Sequence, residues 1–249
     1  MKLKFLLICF ASVILYACKQ ENHLYKIEGK QINISDSLIT NNDIEAFVKP
    51  YREHVTKDLD SVLCYAVDTY SKTDGELNTA IGNLMADAVY EESNPIFNNR
   101  TGYVIDFVFL NYGGIRSIIS KGNVTAKTAY EVMPFENSLV VVKLKGKQVE
   151  ELIEYLAKNK KANPISGIKL VLDKDFNVKS ATIGDQPFDI NKPYFVATHD
   201  YLFENMDLFR TNDTVYDLNY KIRNILIDYF TKKDTLNPVI DDRFIRLKN

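Results

Sequence analysis

Tryptophan is absent from these 249 residues, and histidine and cysteine occur three times each. Each scarcity removes a class of chemistry. The histidines, His23, His54 and His199, stand isolated, none with a second histidine or a carboxylate at ligand spacing, so no metal site is read in this chain. No Gly-x-Ser-x-Gly elbow accompanies a Ser–His–Asp order, which removes a familiar hydrolase arrangement and leaves no catalytic residue to name. Positive charge is not in excess either. The 31 Lys and Arg against 33 Asp and Glu give a net charge of −2, without the basic footprint of a nucleic-acid binder. There is no internal repeat, low-complexity tract or second linker. What is present, 46% hydrophobic and 26% charged residues, is ordinary for a globular chain, and most of the 15 Tyr and 14 Phe read as core and strand filler.

The N-terminus departs from that average. "MKLKFLLICFASVILYACKQEN" opens with two lysines and continues with an apolar run from Phe5 to Ala17, the charged start and apolar middle of a secretory signal. The run is too short and wrongly flanked for a membrane-spanning helix. It ends in "LYAC", which resembles a bacterial lipobox, so residues 1–17 are expected to be cleaved and Cys18 to carry lipid. A plain signal peptide with a chance cysteine is the other reading. On the first, the protein is lipid-anchored in a bacterial cell envelope, at the outer membrane or periplasm, with residues 18–43 as a tether and 44–249 as the folded domain. Cys9 leaves with the signal and Cys18 is lipidated, so Cys64 has no intrachain partner. It lies in the alternating run "SVLCYAVDTY", as a small buried thiol would.

Periodicity then sets the order of elements. The tether shows short alternation with room for one edge strand. Ile44, Phe47, Val48, Tyr51 and Val55 fall at helical spacing, with a kink expected at Pro50. A strand is expected over 61–70. In "NTAIGNLMADAVYEE", Ile81, Leu84, Met85, Ala88 and Val89 share one helical face behind a cap at Asn78 or Thr79. A buried strand over 103–110 precedes a short helix over 125–135 that stops at Pro134. A strand over 138–146 leads into the amphipathic helix "KQVEELIEYLAKNKK", with Val149, Leu152, Ile153 and Leu156 inward. Strands follow at 168–172, 178–183 and 194–198, then a helix over 217–232 and a final strand over 243–247. Helices and strands interleave without βαβ regularity, which predicts an α+β single domain with a mixed β-sheet flanked by helices.

In "FVFLNYGGIR", residues 107–116, an apolar strand runs into two of the chain's ten glycines. Bare backbone there, between Asn111 and Arg116, makes either an ordinary turn or room for a ligand. Three further stretches favour the ligand. Together "IGNLMADAV" (81–89), "NYGGIR" (111–116), "VMPFENSLVVVKLKGKQVEELIE" (132–154) and "VATHDYLFENMDLF" (196–209) resemble, in order and spacing, the C-terminal, nucleotide-binding domain of the 5′-nucleotidases.

The resemblance implies roles position by position. Asn111 and Arg116 of the Asn-x-Gly-Gly-Ile-Arg loop would contact the nucleotide, with Gly113 and Gly114 between them. Phe135 of the Pro134–Asn137 turn would stack on one face of the base, with Asn137 beside it. The family's Gly-Gly-Asp-Gly-Phe loop falls on residues 205–209, so Asp207 would line the site and Phe209 would close the other face. Stacking contributes about 1–3 kcal/mol per base and tolerates different bases. Arg116 offers a planar fork for paired oxygens. Asn83, Asp87 and Asp200 read as structural braces. This chain also departs from the pattern. "ENMDLF" has lost the loop's glycines, and "SKTDGELNTAIGN" lacks the arginine that the family contributes to its phosphate site, leaving Lys72 as a flexible point charge and Glu76 as a repulsive neighbour.

The family's hydrolysis needs two divalent metals, which a metallophosphatase domain supplies. No such ligand set is read here. Two functions follow. In the first, the chain is the nucleotide- or nucleoside-binding subunit of a split 5′-nucleotidase-type phosphohydrolase in nucleotide catabolism, inactive by itself, its metals held by a separate metallophosphatase polypeptide. In the second, it is a non-catalytic nucleoside- or nucleotide-binding lipoprotein of the envelope.

Overall fold

The computed structural model describes residues 24–35, 37–212 and 214–248. Cys18, His23 and the expected signal segment lie outside the described residues. The chain divides into two units between Val48 and Lys49. In the first, residues 24–35 form neither helix nor strand, so the edge strand anticipated in the tether is not found among them. Helix α1, Asn42–Leu59, begins in this unit and ends in the second, with Pro50 inside it. Asn41 caps it: its Oδ1 accepts from the backbone N–H groups of Asp43 (3.0 Å) and Ile44 (3.3 Å).

The second unit opens with β1 (Val62–Ala66), α2 (Ala80–Thr101), β2 (Phe107–Phe109), β3 (Gly122–Thr125) and α3 (Ala126–Val132). There follow β4 (Ser138–Lys145), α4 (Gly146–Asn159), β5 (Ile165–Ser166), β6 (Ile168–Leu172), β7 (Val178–Ile183) and β8 (Gln186–Pro187). The remainder is β9 (Pro193–His199), α5 (Asp200–Asn205), α6 (Asp207–Arg210), β10 (Val215–Lys221), α7 (Ile222–Thr231), β11 (Thr235–Leu236) and β12 (Phe244–Arg246). Three mixed sheets result, ordered β11-β1-β3, β10-β4-β9-β2-β5 and β12-β6-β7-β8. The α+β class is as the sequence implies, with three sheets in place of one.

The five-stranded sheet separates two cores. Successive side chains of a strand face opposite ways, so Leu139 and Val141 of β4 join one core while Val140, Val142 and Leu144 join the other. The first core lies under α2 and α7, and contains the predicted face Ile81, Leu84, Met85, Ala88 and Val89 together with Ile225, Leu226 and Phe230. The second lies under α4, whose Val149, Leu152, Ile153 and Leu156 are all buried. Full burial of each such side chain is worth about 1.5–3 kcal/mol. Cys64 is buried too, and desolvation pushes its thiol up to about 11.

Four boundaries differ from the sequence reading. The helix expected over 217–232 is strand β10 followed by α7. Alternation in "VYDLNYK" lets Val215–Asp217 pair with Val142–Val140 at the sheet edge, and the helical period starts only after Lys221. Helix α2 continues to Thr101, through Pro95, until Gly102 ends it with a left-handed φ of 76°. The strands around 61–70 and 103–110 shrink to five and three residues. Asn83 and Asp87 are braces, as read. Asn83 Nδ2 donates to Asn78 Oδ1 (3.0 Å) and to the Val239 carbonyl (2.9 Å), and Asp87 accepts from Arg243 (2.8 and 3.0 Å) and from Ser166 (2.6 Å).

Topology places one end of the central sheet apart from the rest. β2 runs parallel to β9, so both chains leave the sheet at the same edge. β4 runs antiparallel to β9, with Leu139 opposite His199, so it enters at that edge. The loop after β2, the turn before β4 and the end of β9 therefore meet, where open mixed sheets commonly take ligands.

At the opposite end of β4, α4 starts on a glycine by necessity. A Cβ on Gly146 would lie 2.1 Å from the Ile190 carbonyl oxygen. Gly146→Ala is expected to destabilise the protein by about 1–3 kcal/mol, as overpacking does, read as a lower urea midpoint with an unchanged slope.

Candidate ligand-binding site

The loop after β2 is pinned from several sides before any ligand is considered. Tyr112–Gly114 form one 3₁₀ turn, and the Tyr112 N–H donates to Asn163 Oδ1 (2.9 Å). Lys72 Nζ donates to the Ile115 carbonyl (2.7 Å) and sits 4.7 Å from the Tyr112 ring centre. That lysine is thus engaged with the loop's backbone. Glu76, the anticipated repulsive neighbour, pairs with Arg246 (2.6 Å). The Arg116 N–H donates to the Val132 carbonyl (2.9 Å), tying the loop's far end to α3. The two glycines answer to close approach. A Cβ on Gly114 would lie 3.0 Å from Asn111 Oδ1, and one on Gly113 would lie 3.4 Å from Asn111 Nδ2.

His199 ends β9, is buried, and connects three segments. Its Nδ1 accepts from the Leu202 N–H (3.2 Å), capping α5, and lies 3.4 Å from Asn137 Nδ2. Its Nε2 is 3.0 Å from Asn111 Oδ1. Burial lowers its pKa to about 4 despite the opposing field of Asp200. Asp200 braces as predicted: one carboxylate oxygen accepts from the Ser138 N–H (2.9 Å), the other from the Tyr201 N–H (2.7 Å).

The Pro134–Asn137 turn is held from β10 and α7. Lys221 Nζ donates to the Glu136 carbonyl (2.7 Å) and to Ser138 Oγ (2.8 Å). Arg223, itself buried, donates to the Glu136 carboxylate and to the Pro134 carbonyl (3.4 Å), and stacks 4.1 Å from the Tyr130 ring centre. The guanidinium holds the Glu136 carboxyl below its ordinary range. The ring of Phe135 is left 40% exposed, with the Arg116 guanidinium 5.7 Å from its centre.

Together these pieces line a cavity of about 340 Å³, bordered by Asn111, Gly113, Gly114, Arg116, Phe135, Asn137 and Tyr201. Six of the eight residues expected at a ligand site are brought together. Two are not. Phe209 is 0% exposed, in the second core, its ring stacked on Phe109 at 6.2 Å and 15°. Asp207 faces solvent and pairs with Arg210 (2.7 Å). The cause is local. Residues 207–210 form α6, which directs Phe209 inward, while Gln148 of α4 donates to the Leu208 carbonyl (3.0 Å) and fixes the turn. Tyr201, 53% exposed, is the second aromatic at the cavity. Sequence reasoning missed it, although in the first turn of α5 a buried Leu202 leaves its neighbour to face outward.

A family model described as the 5′-nucleotidase C-terminal domain matches residues 55–214. The chain belongs to that family. Among curated relatives, cell wall protein Lmo0130 of Listeria monocytogenes is 27% identical over 222 residues, covering 75% of this chain and 27% of that protein. An apyrase of Tabanus yao is 24% identical, covering 84% of this chain and 42% of its own length. The crystal structure of a 5′-nucleotidase precursor from Thermus thermophilus superposes with a TM-score of 0.69 at 21% identity, over 82% of this chain and 43% of that one. The chain thus spans less than half the length of these relatives.

A pair of divalent metals, which the family's chemistry implies, does not fit this domain's cavity. Both His199 nitrogens and both Asp200 oxygens are engaged within the protein, and the lining offers amides, a guanidinium and a phenol. Among the described residues, no three His, Cys, Asp or Glu side chains come together to hold a metal ion.

The buried imidazole sets a pH dependence. An unfolded histidine near its ordinary 6.5 takes up a proton that the folded one refuses until about 4. The unfolded state therefore binds more protons between those values, and stability falls as pH drops through that window. From pH 7.5 to 4, a loss on the order of 3 kcal/mol is expected from this residue. Asp200 is the charged group that acts on it, the Tyr201 ring lies 6.1 Å from it, and Glu136 on the turn before β4 is turned to Arg223. Denaturant midpoints across that range should flatten in His199→Asn; an equal slope in the variant contradicts the assignment.

Proposed function

We propose that this cavity binds a nucleoside or nucleotide, and that the chain is the binding subunit of a split 5′-nucleotidase-type phosphohydrolase whose two divalent metals are held by a separate polypeptide. One observation carries the binding reading: a pair of fixed amides, an arginine fork and two exposed aromatic rings converge at the ligand end of a mixed sheet. Phe135 and Tyr201 offer the base flat apolar faces, Asn111 and Asn137 offer hydrogen bonds, and Arg116 offers two parallel donors to ribose or phosphate oxygens. Support for the split arrangement comes from coverage, since the greater part of each relative has no counterpart in these residues. Membership of a 5′-nucleotidase domain family and the resemblance of a relative named a cell wall protein support an envelope setting. Lipid on Cys18 would supply the anchor.

Three measurements test this. Isothermal titration with adenosine should show about 5- to 150-fold weaker binding in Phe135→Ala and in Tyr201→Ala, the range that ~1–3 kcal/mol of stacking corresponds to. Phe209→Ala should instead lower stability by about 3–5 kcal/mol, as core phenylalanines do, and leave affinity unaltered in the protein that remains folded. Equal affinity in both ring variants at the cavity removes the stacking site. Phosphate release from AMP should require an exported metallophosphatase polypeptide and Mn²⁺ in addition to this chain. Turnover by the chain alone overturns the split arrangement, whereas binding with no partner-dependent turnover leaves an envelope nucleoside-binding protein. Cys18→Ala should move the protein from the membrane fraction to the soluble one.

A further inference from the structure

One imidazole touches both amides that line the cavity, and its own bonding fixes which way each amide points. The Leu202 backbone N–H can only donate, and it reaches His199 Nδ1 at 3.2 Å. Nδ1 is therefore the accepting nitrogen, and the neutral ring carries its proton on Nε2. That proton faces Asn111 at 3.0 Å, so the atom it meets is the carbonyl Oδ1, and the Nδ2 donors of Asn111 remain for the cavity. Asn137 is turned the other way. Its Nδ2 faces the accepting Nδ1 at 3.4 Å, which leaves its Oδ1 to accept. Gly113 and Gly114 leave the Asn111 amide its place: a Cβ on Gly114 would lie 3.0 Å from Oδ1 and one on Gly113 3.4 Å from Nδ2.

We infer that His199 is a positioning residue that polarises the site, so that Asn111 presents a donor and Asn137 an acceptor to one edge of the ligand. This rests on the nucleoside reading above, and it names the class: a 6-aminopurine nucleoside. Adenine carries a ring-nitrogen acceptor beside an exocyclic amine donor, matching the two amides. Hypoxanthine carries a ring N–H beside a carbonyl oxygen and reverses that order. A mismatched edge leaves polar groups of the site unpaired, which is how such sites reject close analogues.

The test has an arm without ligand and an arm with it. In the free protein, ¹⁵N NMR of the imidazole at pH 7 should show a neutral ring protonated on Nε2; a ring protonated on Nδ1, or charged, overturns the inference. In isothermal titrations, adenosine should bind at least tenfold more tightly than inosine, and equal or tighter inosine binding overturns it. Asn111→Asp keeps an oxygen for the His199 Nε2–H but presents oxygen in place of an amine to the cavity, so adenosine affinity should fall at least tenfold. His199→Asn can still cap Leu202 yet stops short of Asn111. It should weaken adenosine binding about tenfold in the native background and not at all in Asn111→Ala, whereas equal losses in both backgrounds show that His199 does not act through Asn111. Failure of the wild type to bind either nucleoside discards the cavity reading itself. Binding that none of these substitutions alters discards only the role of His199.

Discussion

A neutral imidazole has one donor and one acceptor, and in a dry pocket it must use both. His199 meets that constraint by accepting from the α5 backbone and donating to the loop after β2, with the turn before β4 leaning on the same nitrogen. Three segments far apart in sequence are held to one another through one ring. The register of β2, β4 and β9 brings those segments to a common edge, but strand pairing fixes backbones and not side-chain amides. The ring orders the amides. Its low pKa comes from the burial that imposes this constraint, which outweighs the field of Asp200.

Around that ring the protein uses its charged groups to hold loops. Lys72 secures the glycine loop, Lys221 and Arg223 secure the Phe135 turn, and Asp200 ties the turn to α5. Each is a long or charged side chain ending on backbone or on one partner, which stiffens connections that short strands alone would leave loose. Glu136 shows the consequence. In sequence it is a carboxylate beside the ring expected to stack on a base. In the structure Arg223 draws it away, and the buried guanidinium is itself covered by Tyr130. Preorganisation of this kind lowers the ordering cost that a ligand would otherwise meet.

Much of this is legible in the sequence, and the failures have physical causes. Helical faces at 81–89 and 149–156 are readable because their apolar residues recur with the period of the helix that buries them. The loop at 111–116 is readable because paired glycines before an arginine have few other uses. The segment 217–221 misleads because a seven-residue edge strand with one fully buried side chain, Leu218, gives almost no periodic signal of its own and runs without a turn into a helix. Phe209 misleads for a subtler reason. A motif aligned position by position transfers a side chain's role only where the backbone is the same, and in "ENMDLF" Asp207–Arg210 form a helical turn that buries the ring.

The second aromatic at the cavity comes from a different element. With 207–210 helical, Phe209 fills core space against Phe109 and no ring of this segment borders the cavity. Tyr201 sits one helix earlier, on an element whose start is fixed by the His199 cap and by Asp200. Its phenol hydroxyl adds a polar group that a phenylalanine would lack. The ring of His199 lies 6.1 Å from that of Tyr201, so the same buried imidazole that orders the amides also stands behind the aromatic wall. The recognition proposed for this site therefore rests on the packing of one residue that is not among those lining the cavity.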